Sequence, residues 1–228
     1  MITKSFTKFL DILSALFYNE YTLSELLLTK LKTMTKRMVH KEQTRGRILD
    51  SAYALFSQRG FIDVNTIDIA EEAGISHGAL FLHFSTRDDL VNAVISKFGE
   101  EIAKRTHDLS ESRSSLRGIL EAHLDCIREN EFFYSRLLRD IHSLPKNAGL
   151  QLTCILSAVS HHIFLAAQRE IENGNIKPVA SDLLFNTWIG LLHHYLMNRE
   201  LFVVSGSVVE RHGNNLIDHF MKLLTLKK

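Results

Sequence analysis

The chain has 228 residues, which suits one domain of moderate size or two small ones. With 45% hydrophobic and 23% charged residues, its composition is that of an ordinary soluble globular protein, which excludes a disordered chain. The net charge of +1 indicates no partner by itself. Only two prolines interrupt the chain and no strand-like alternation of apolar and polar residues occurs, so the sequence predicts an all-α protein.

The first residues, 1–38, are interpreted as an N-terminal extension. They are either an added helical arm or upstream sequence from a misplaced start, because Met34 and Met38 stand just ahead of a basic run. A surface-binding amphipathic helix is a third alternative. Asp11 and Glu20 interrupt the apolar residues, whereas a membrane-spanning helix needs about 20 of them in a row. A cytoplasmic protein without a membrane partner is therefore expected.

The basic run leads into the first strongly periodic helix. Between Lys30 and Arg47 there are seven Lys or Arg and one acid, Glu42, a pattern that is most often a solvated face. Apolar residues then recur on one face of a helix over residues 41–58. The following Gly60 suits the left-handed position that ends a helix.

The stretch "NTIDIAEEAGISHGALFLHF" carries the most specific local signal. Asn65 is placed to cap a short helix, with Asp68 three residues later to complement the exposed amides. Gly74 closes that helix and Ser76 caps a new one. A short helix, a glycine-containing turn and a second helix led by small and polar residues predict a helix-turn-helix over residues 65–84. Its second helix would project into a DNA major groove, which is about 12 Å wide.

The remainder of the chain is predicted to be helical. Apolar residues at helical spacing indicate one helix after the next to the C-terminus. The helices are expected over residues 88–107, 116–127, 133–141 with an exit at Pro145, 152–167 ended near Gly174, from Pro178 to 196, and 216–224.

The block "ILDSAYALFSQRGF…NTIDIAEEAGISHGALFLHFSTRDDL" resembles the DNA-binding region of the TetR family of transcriptional regulators. The resemblance covers residues 42–102 and rests on "A…LF…GF", "IA…AGIS", "GALF.HF" and "S.RDDL". It implies a three-helix helix-turn-helix domain over residues 42–102 and a helical ligand-binding and dimerisation domain over residues 103–228. The second region matches the family in architecture only, and residues 1–38 have no counterpart in the family pattern.

The resemblance also implies a set of DNA contacts. Ser76 stands at the start of the recognition helix. Positions matching family residues that approach the DNA backbone are Lys41, Arg45, Asn65, Thr66, Phe81, His83 and Arg87. Positions matching residues that face the bases are His77, Gly78, Ala79 and Leu82. Phe81 stands where the family often has tyrosine and Ala79 where it often has threonine, so His77 is expected to carry the direct readout of sequence.

Family members generally keep a ligand pocket between the central helices, which implies a small apolar or amphipathic effector. The candidate pocket residues are His123, Phe133, Tyr134, His162, Phe164 and Trp188. At helical spacing such residues are more often plain core, and that alternative stays open. A two-fold four-helix contact between two copies is expected through Leu191, Tyr195, Leu216 and Phe220.

Nothing in the sequence favours catalysis or a cofactor. The chain has no P-loop, dinucleotide or HExxH pattern. The adjacent pairs His161–His162 and His193–His194 point about 100° apart on a helix and cannot share a metal, although ligands from different helices could converge. No enzyme and no metal are expected.

The sequence therefore predicts a dimeric, sequence-specific DNA-binding regulator. It would act as a repressor that a small molecule releases from a palindromic operator in double-stranded DNA. The alternative is an architectural or partner-binding DNA-associated protein that uses the same fold without a ligand.

Overall fold

The computed structural model describes residues 36–111, 113 and 115–225. The chain divides into two compact units, residues 1–47 and residues 48–228. The expectations for residues 1–35 lie outside the described residues. In the described part of the chain every regular element is a helix, which confirms the prediction of an all-α protein.

The helix-turn-helix region comes first. Residues 36–59 are helical (α1), with residues 36–47 in the first unit and 48–59 in the second. Ile48, Ala52 and Phe56, four residues apart, are fully buried in the second unit. Gly60 ends α1 at φ +91, and its N–H donates to the Phe56 carbonyl oxygen at 2.9 Å, as the sequence predicts.

Nine helices follow α1 in the described residues. They are α2 (Thr66–Glu72), α3 (His77–Phe81), α4 (Arg87–Glu111), α5 (Leu116–Glu129), α6 (Glu131–Asp140), α7 (Lys146–Glu172), α8 (Ser181–Met197), α9 (Arg199–Phe202) and α10 (Val208–Leu224). A 3-10 turn, Ile141–Ser143, separates α6 from α7. The long predicted helices are present, and two details differ.

Helix α8 starts at Ser181, three residues later than the predicted opening at Pro178. The N–H of Lys177 donates to the carbonyl oxygen of Leu224 at 2.9 Å, so this segment is tied to the end of α10 before α8 begins. Helix α9 is not predicted by the sequence. It forms because Asn198 ends α8 and the chain turns again at once.

Helices α4 and α7 make the most extensive contact in the second unit. Gly99 allows this close approach, since a Cβ atom there would stand 2.8 Å from Cγ1 of Ile155. In the described residues, α7 is also the one helix long and apolar enough to cross a membrane, with 33% of its most apolar stretch buried. A core helix passes the same test, so this is weak evidence for a membrane segment.

Candidate nucleic-acid interface

The start of α2 is built by a reciprocal cap. The side-chain oxygen of Asn65 accepts from the N–H groups of Ile67 and Asp68 at 2.8 and 3.0 Å, and the Asp68 carboxylate accepts from Asn65 N–H at 3.2 Å. This capping box satisfies amides that a helix start leaves unpaired. The predicted capping role of Asn65 is confirmed.

The turn between α2 and α3 depends on one glycine. Gly74 has φ +64, a conformation that residues with a Cβ rarely adopt, and its N–H donates to Glu71 O at 3.0 Å. The N–H of Ile75 returns to Ala70 O at 3.0 Å. Ser76 Oγ then accepts from Ala79 N–H at 3.2 Å and caps α3. The helix caps and the glycine turn that the sequence predicts for the helix-turn-helix are thus present.

The letters of this turn, "GISHG", also fit the GxSxG pattern of hydrolase nucleophiles. That pattern needs a strand before the serine, so that a sharp strand-to-helix turn exposes the hydroxyl. Here α2 precedes Ser76, and its hydroxyl oxygen accepts a bond from the backbone of α3. The serine acts as a helix cap at this position.

One face of α3 packs inward and the other carries apolar side chains in solvent. Leu80 is fully buried and Phe84 nearly so. On the outer face Phe81 is 41% exposed and Leu82 78% exposed, and His77 and Gly78 are exposed beside them. Phe81 and Leu82 are thus adjacent apolar side chains that this part of the chain leaves exposed.

His77 and Thr66 are brought together. His77 Nε2 lies 2.9 Å from Thr66 Oγ1, and the His77 ring meets Phe81 edge-on with centroids 5.0 Å apart. Either tautomer satisfies the hydrogen bond, because the hydroxyl donates or accepts. The starts of α2 and α3 are therefore linked by two side chains for which the family resemblance implies DNA contacts, and these contacts orient the His77 ring.

Arg87 occupies an unexpected position. Its guanidinium donates to the carbonyl oxygen of Phe61 and, at 3.3 Å, to that of Val64. Both carbonyls belong to the loop between α1 and α2, so Arg87 holds that loop to the start of α4. Its expected phosphate contact stays a prediction.

Arg59 is a residue that the sequence reasoning did not select. It donates to the Asp63 carbonyl oxygen at 2.8 Å and pairs with Asp68 at 3.0 Å, beside the start of α2. From this stretch the sequence predicts only the end of α1 at Gly60. No sequence signal marks these contacts, because the conformation of the loop between α1 and α2 determines them.

The remaining expected backbone contacts are placed as follows. Lys41 and Arg45 lie four residues apart on α1, which puts them on one side of the helix. Lys41 is exposed, and Arg45 and His83 are half-buried. Ala79, expected to face the bases, is half-buried.

Aromatic side chains, buried except for the half-buried Tyr53, join α1 and the loop after it to α6. The Tyr53 and Phe133 rings stack with centroids 4.4 Å apart, and Phe61 and Phe98 meet Phe133 at 5.3 and 4.9 Å. The carboxylate of the buried Asp140, at the end of α6, accepts from Phe61 N–H at 2.8 Å. We call this group the α6 seam.

The predicted pocket residues do not line one common cavity. His123, Phe133, Tyr134 and Trp188 are fully buried, and Trp188 Nε1 donates to His123 Nδ1 at 3.1 Å. Burial, followed by the charge of His193, lowers the pKa of His123 to about 3, so the ring is neutral and accepts this bond. These four side chains are packed core, in agreement with the alternative interpretation.

The other two pocket candidates lie on α7. Phe164 is 41% exposed and borders a groove of about 530 Å³ between α7 and α8. His162 is half-buried beside His107. Its pKa is lowered by burial and then by the charges of His161 and His107.

A mainly apolar cleft of about 370 Å³ lies between α4 and α7. Its lining includes Ile95, Gly99, Leu150 and Ile155, with Glu100 and Gln151 as polar members. Concave, mostly apolar sites with a few polar groups are typical of small-molecule binding. The sequence does not predict this cleft, because its lining combines residues of two helices that lie about 50 positions apart in the chain.

The expected contact between copies needs a correction. Leu216 and Phe220 are buried inside the protomer, where Phe220 packs against Trp188 with ring centroids 5.4 Å apart, so neither presents surface to a partner. Leu191 and Tyr195 are half-buried. Helices α8 and α10 each carry apolar side chains on more than one face. The most apolar face of α10 packs against the core of its own protomer.

The histidines of the helical body do not gather into a metal site. Within the residues that the structure describes, no three His, Cys, Asp or Glu side chains come together as metal ligands.

Comparisons with known proteins agree with this geometry. Residues 48–94 match the model of the family described as bacterial regulatory proteins, tetR family. The HTH-type transcriptional repressor Rv3405c of Mycobacterium tuberculosis is 36% identical over 67 residues, which are 29% of this chain and 36% of that protein. The matched part therefore spans about a third of that relative.

Two solved structures share the fold over most of the chain. The TetR family transcriptional regulator PfmR from Thermus thermophilus has a TM-score of 0.65 at 21% identity, covering 80% of this chain and all of that one. The regulator FadR from Bacillus subtilis, in complex with stearoyl-CoA, has a TM-score of 0.64 at 15% identity, covering 77% of this chain and 96% of that one.

A helix-turn-helix followed by a helical body is the arrangement that this chain shares with these regulators. Residues 48–94 are therefore similar to the DNA-binding domain of the tetR family, and the fold is similar to that of TetR-family regulators of known structure.

Proposed function

We propose that the protein is a dimeric, sequence-specific DNA-binding repressor that a small-molecule effector releases from its operator. The observation that carries the proposal is the exposed face of α3, where Phe81 and Leu82 stand in solvent beside a His77 ring held by Thr66. A helix presented in this way suits the major groove, where base edges are readable.

The contacts to the DNA backbone would come from helix starts and from α1. The N-terminal amides of α2 and α3 suit phosphate oxygens. Helix α3, "HGALF", carries no lysine or arginine, so the cations of residues 36–47 would supply the charge. These cations are Lys36, Arg37, Lys41, Arg45 and Arg47, against Glu42.

The dimer would form through the outer faces of α8 and α10. Leu183 is 60% exposed and Leu223 43% exposed, and Gly190 has no atom near its Cβ position, so a second helix could approach closely. Two copies would then place their α3 helices in successive major grooves, with half-sites roughly 34–36 Å apart or a multiple of that.

The effector would enter the α4–α7 cleft. Helix α4 begins at Arg87, whose guanidinium binds the loop before α2, and the same helix forms one wall of the cleft. A ligand in the cleft would therefore act on the helix that holds this loop. A ligand that binds one arrangement of α4 more tightly shifts the population away from the DNA-binding arrangement. The stearoyl-CoA complex of FadR supports an amphipathic effector as the class to test.

DNA binding is tested on the chain's own upstream region by fluorescence anisotropy at several salt concentrations. Tight binding to one short palindrome is expected for the regulator. His77→Ala should relax sequence preference, whereas His142→Ala, which changes an exposed histidine on the 3-10 turn, should not. Weak binding without sequence preference would favour the architectural or partner-binding alternative.

Arg87→Ala separates two roles of the arginine. A direct phosphate contact predicts that the salt slope falls by about one unit. A role in holding Phe61 and Val64 predicts weaker binding at every salt concentration with the slope unchanged. Arg211→Ala, which removes the same charge from the exposed face of α10, serves as the matched control.

The dimer and the effector each have their own test. Leu183→Glu with Leu223→Glu should give a monomer in analytical ultracentrifugation, whereas Leu201→Glu, which changes a more exposed leucine on α9, should not. Stearoyl-CoA and free stearate are the first effector probes. Leu150→Glu at the α4–α7 cleft should abolish release from DNA, and Phe164→Ala at the α7–α8 groove should leave it intact; the reverse pattern would move the effector to that groove.

A further inference from the structure

A second cleft, of about 410 Å³, lies where the end of α1 meets α6 and α9. It is separate from the α4–α7 cleft and from the face of α3. Its lining contains three arginines and no acid. The residues that line it are Ser57, Gln58, Phe132, Ser135, Arg136, Arg139 and Arg199.

Each of the three arginines uses only some of its N–H donors in hydrogen bonds to the protein. Arg136 donates to Gln58 O at 3.4 Å, and Arg199 donates to Gly206 O at 2.6 Å. Arg139 donates to a backbone carbonyl at 3.3 Å and pairs with the Glu200 carboxylate at 3.0 Å. A guanidinium has five N–H donors, so donors remain on every one of them.

Two polar atoms at this cleft are buried without a partner. Ser135 is 2% exposed, and its Oγ has no hydrogen-bond partner among the residues that the structure describes. The same holds for Nε of Arg199. Leaving buried donors unpaired is costly, and both atoms belong to residues that line the same cleft.

An exposed ring completes the lining. Phe132 is 50% exposed, and the guanidinium carbon of Arg199 lies 4.5 Å from its centroid. A guanidinium next to a ring provides a surface on which a flat group stacks, while the other arginines present charge.

We propose that this cleft binds a small organic anion. A phosphate or carboxylate group would lie on the arginines and the Ser135 hydroxyl, because planar guanidinium groups match these anions. A flat ring would lie alongside Phe132. The volume is within the range of small-molecule sites, about 300–1,000 Å³.

The site would couple two parts of the second unit. Arg136 connects α6 to Gln58, in the last turn of α1. An anion that binds Arg136 and Ser135 of α6 therefore also acts on the end of the helix that precedes the helix-turn-helix. Binding at this site does not depend on the proposed repressor function.

Isothermal titration of the full chain without DNA, at constant ionic strength, tests the proposal. The probes are adenosine 5′-monophosphate, benzoate, inorganic phosphate and neutral adenosine. Saturable binding of the monophosphate or of benzoate, with none of adenosine, is expected, because only the anions pair with the arginines. Binding of inorganic phosphate as tight as that of adenosine 5′-monophosphate would overturn the role of Phe132.

Substitutions of the lining residues test whether the anion binds in this cleft. Ser135→Ala removes an unpaired buried hydroxyl, so it should fold at least as well and bind about tenfold more weakly. Arg199→Gln should reduce affinity by a similar or larger factor. Arg211→Gln controls for charge, and Arg45→Gln controls for binding of anions at the proposed DNA surface. Absence of saturable binding, or equal affinity in Arg199→Gln and Arg211→Gln, would overturn the proposal.

Discussion

The outer face of α3 and the α6 seam are built in opposite ways. On α3, exposed side chains are oriented by single local bonds, such as the Ser76 cap and the contact between His77 and Thr66. In the seam, several buried rings meet Phe133 and a buried carboxylate fixes the loop after α1. Changes on α3 should therefore alter binding with little effect on stability, and changes in the seam should do the reverse.

The largest contrast is expected between neighbouring phenylalanines. Phe133→Ala empties the centre of the seam and should lower the free energy of unfolding by about 3–5 kcal/mol. Phe132→Ala removes a half-exposed ring and should cost less than about 1 kcal/mol. Urea unfolding followed by circular dichroism measures both. If both variants lost the same free energy of unfolding, the α6 seam would not stabilise the protein as expected.

Acid should weaken the buried core through His123. Its pKa is lowered to about 3 in the folded chain, so the neutral form is the folded form, and the unfolded chain takes up a proton as the pH falls below about 6.5. Stability is fully present above that pH and should drop by about 2 kcal/mol between pH 6.5 and 4.5 from His123 alone.

Burial also lowers the pKa of His193 to about 4, which acts in the same direction. Urea unfolding at a series of pH values gives the slope. His123→Asn keeps an acceptor for Trp188 and removes the titrating ring, so it should flatten the slope, whereas the exposed His219→Asn should not. A slope that is unchanged in His123→Asn would contradict this assignment.

The smallest expected changes in stability come from alanine substitutions at the two glycines of the helix-turn-helix. Gly74→Ala places a Cβ at φ +64 and should cost about 1–2 kcal/mol, although no atom obstructs it. Gly78→Ala lies in a helix with open space and should raise stability by a few tenths of a kcal/mol. If Gly78 allows the backbone to approach DNA, that stabler variant should bind DNA more weakly. Thermal unfolding together with anisotropy gives both results.

Structural roles that depend on residues nearby in the sequence could be predicted. Roles that depend on contacts between distant parts of the chain could not. Asn65, Gly74 and Ser76 act on residues a few positions away, so their roles follow from spacing. Arg87 binds carbonyl oxygens 23 and 26 residues earlier, and backbone carbonyls have no signature in a sequence.

The apolar helices show the same limit. Periodicity indicates that α10 has an apolar face, but not whether that face covers its own protomer or a second copy. Phe220 packs on Trp188, and Trp188 in turn hydrogen-bonds His123, partners 32 and 65 residues away, so these predicted contact and pocket residues are core. The clefts are lined by residues from different helices, which only the packed structure brings together.

The close approach of α4 to α7 at Gly99 has a genetic consequence. A single base change converts a glycine codon to an alanine codon, and the added methyl group would stand 2.8 Å from Ile155, so the Ile155 side chain or one of the two helices must shift. If the effector acts by separating these two helices and the alanine does the same, Gly99→Ala would imitate a permanently occupied regulator. Selection for constitutive expression of the regulated genes should then recover this allele repeatedly, and its product should remain folded while no longer holding the operator.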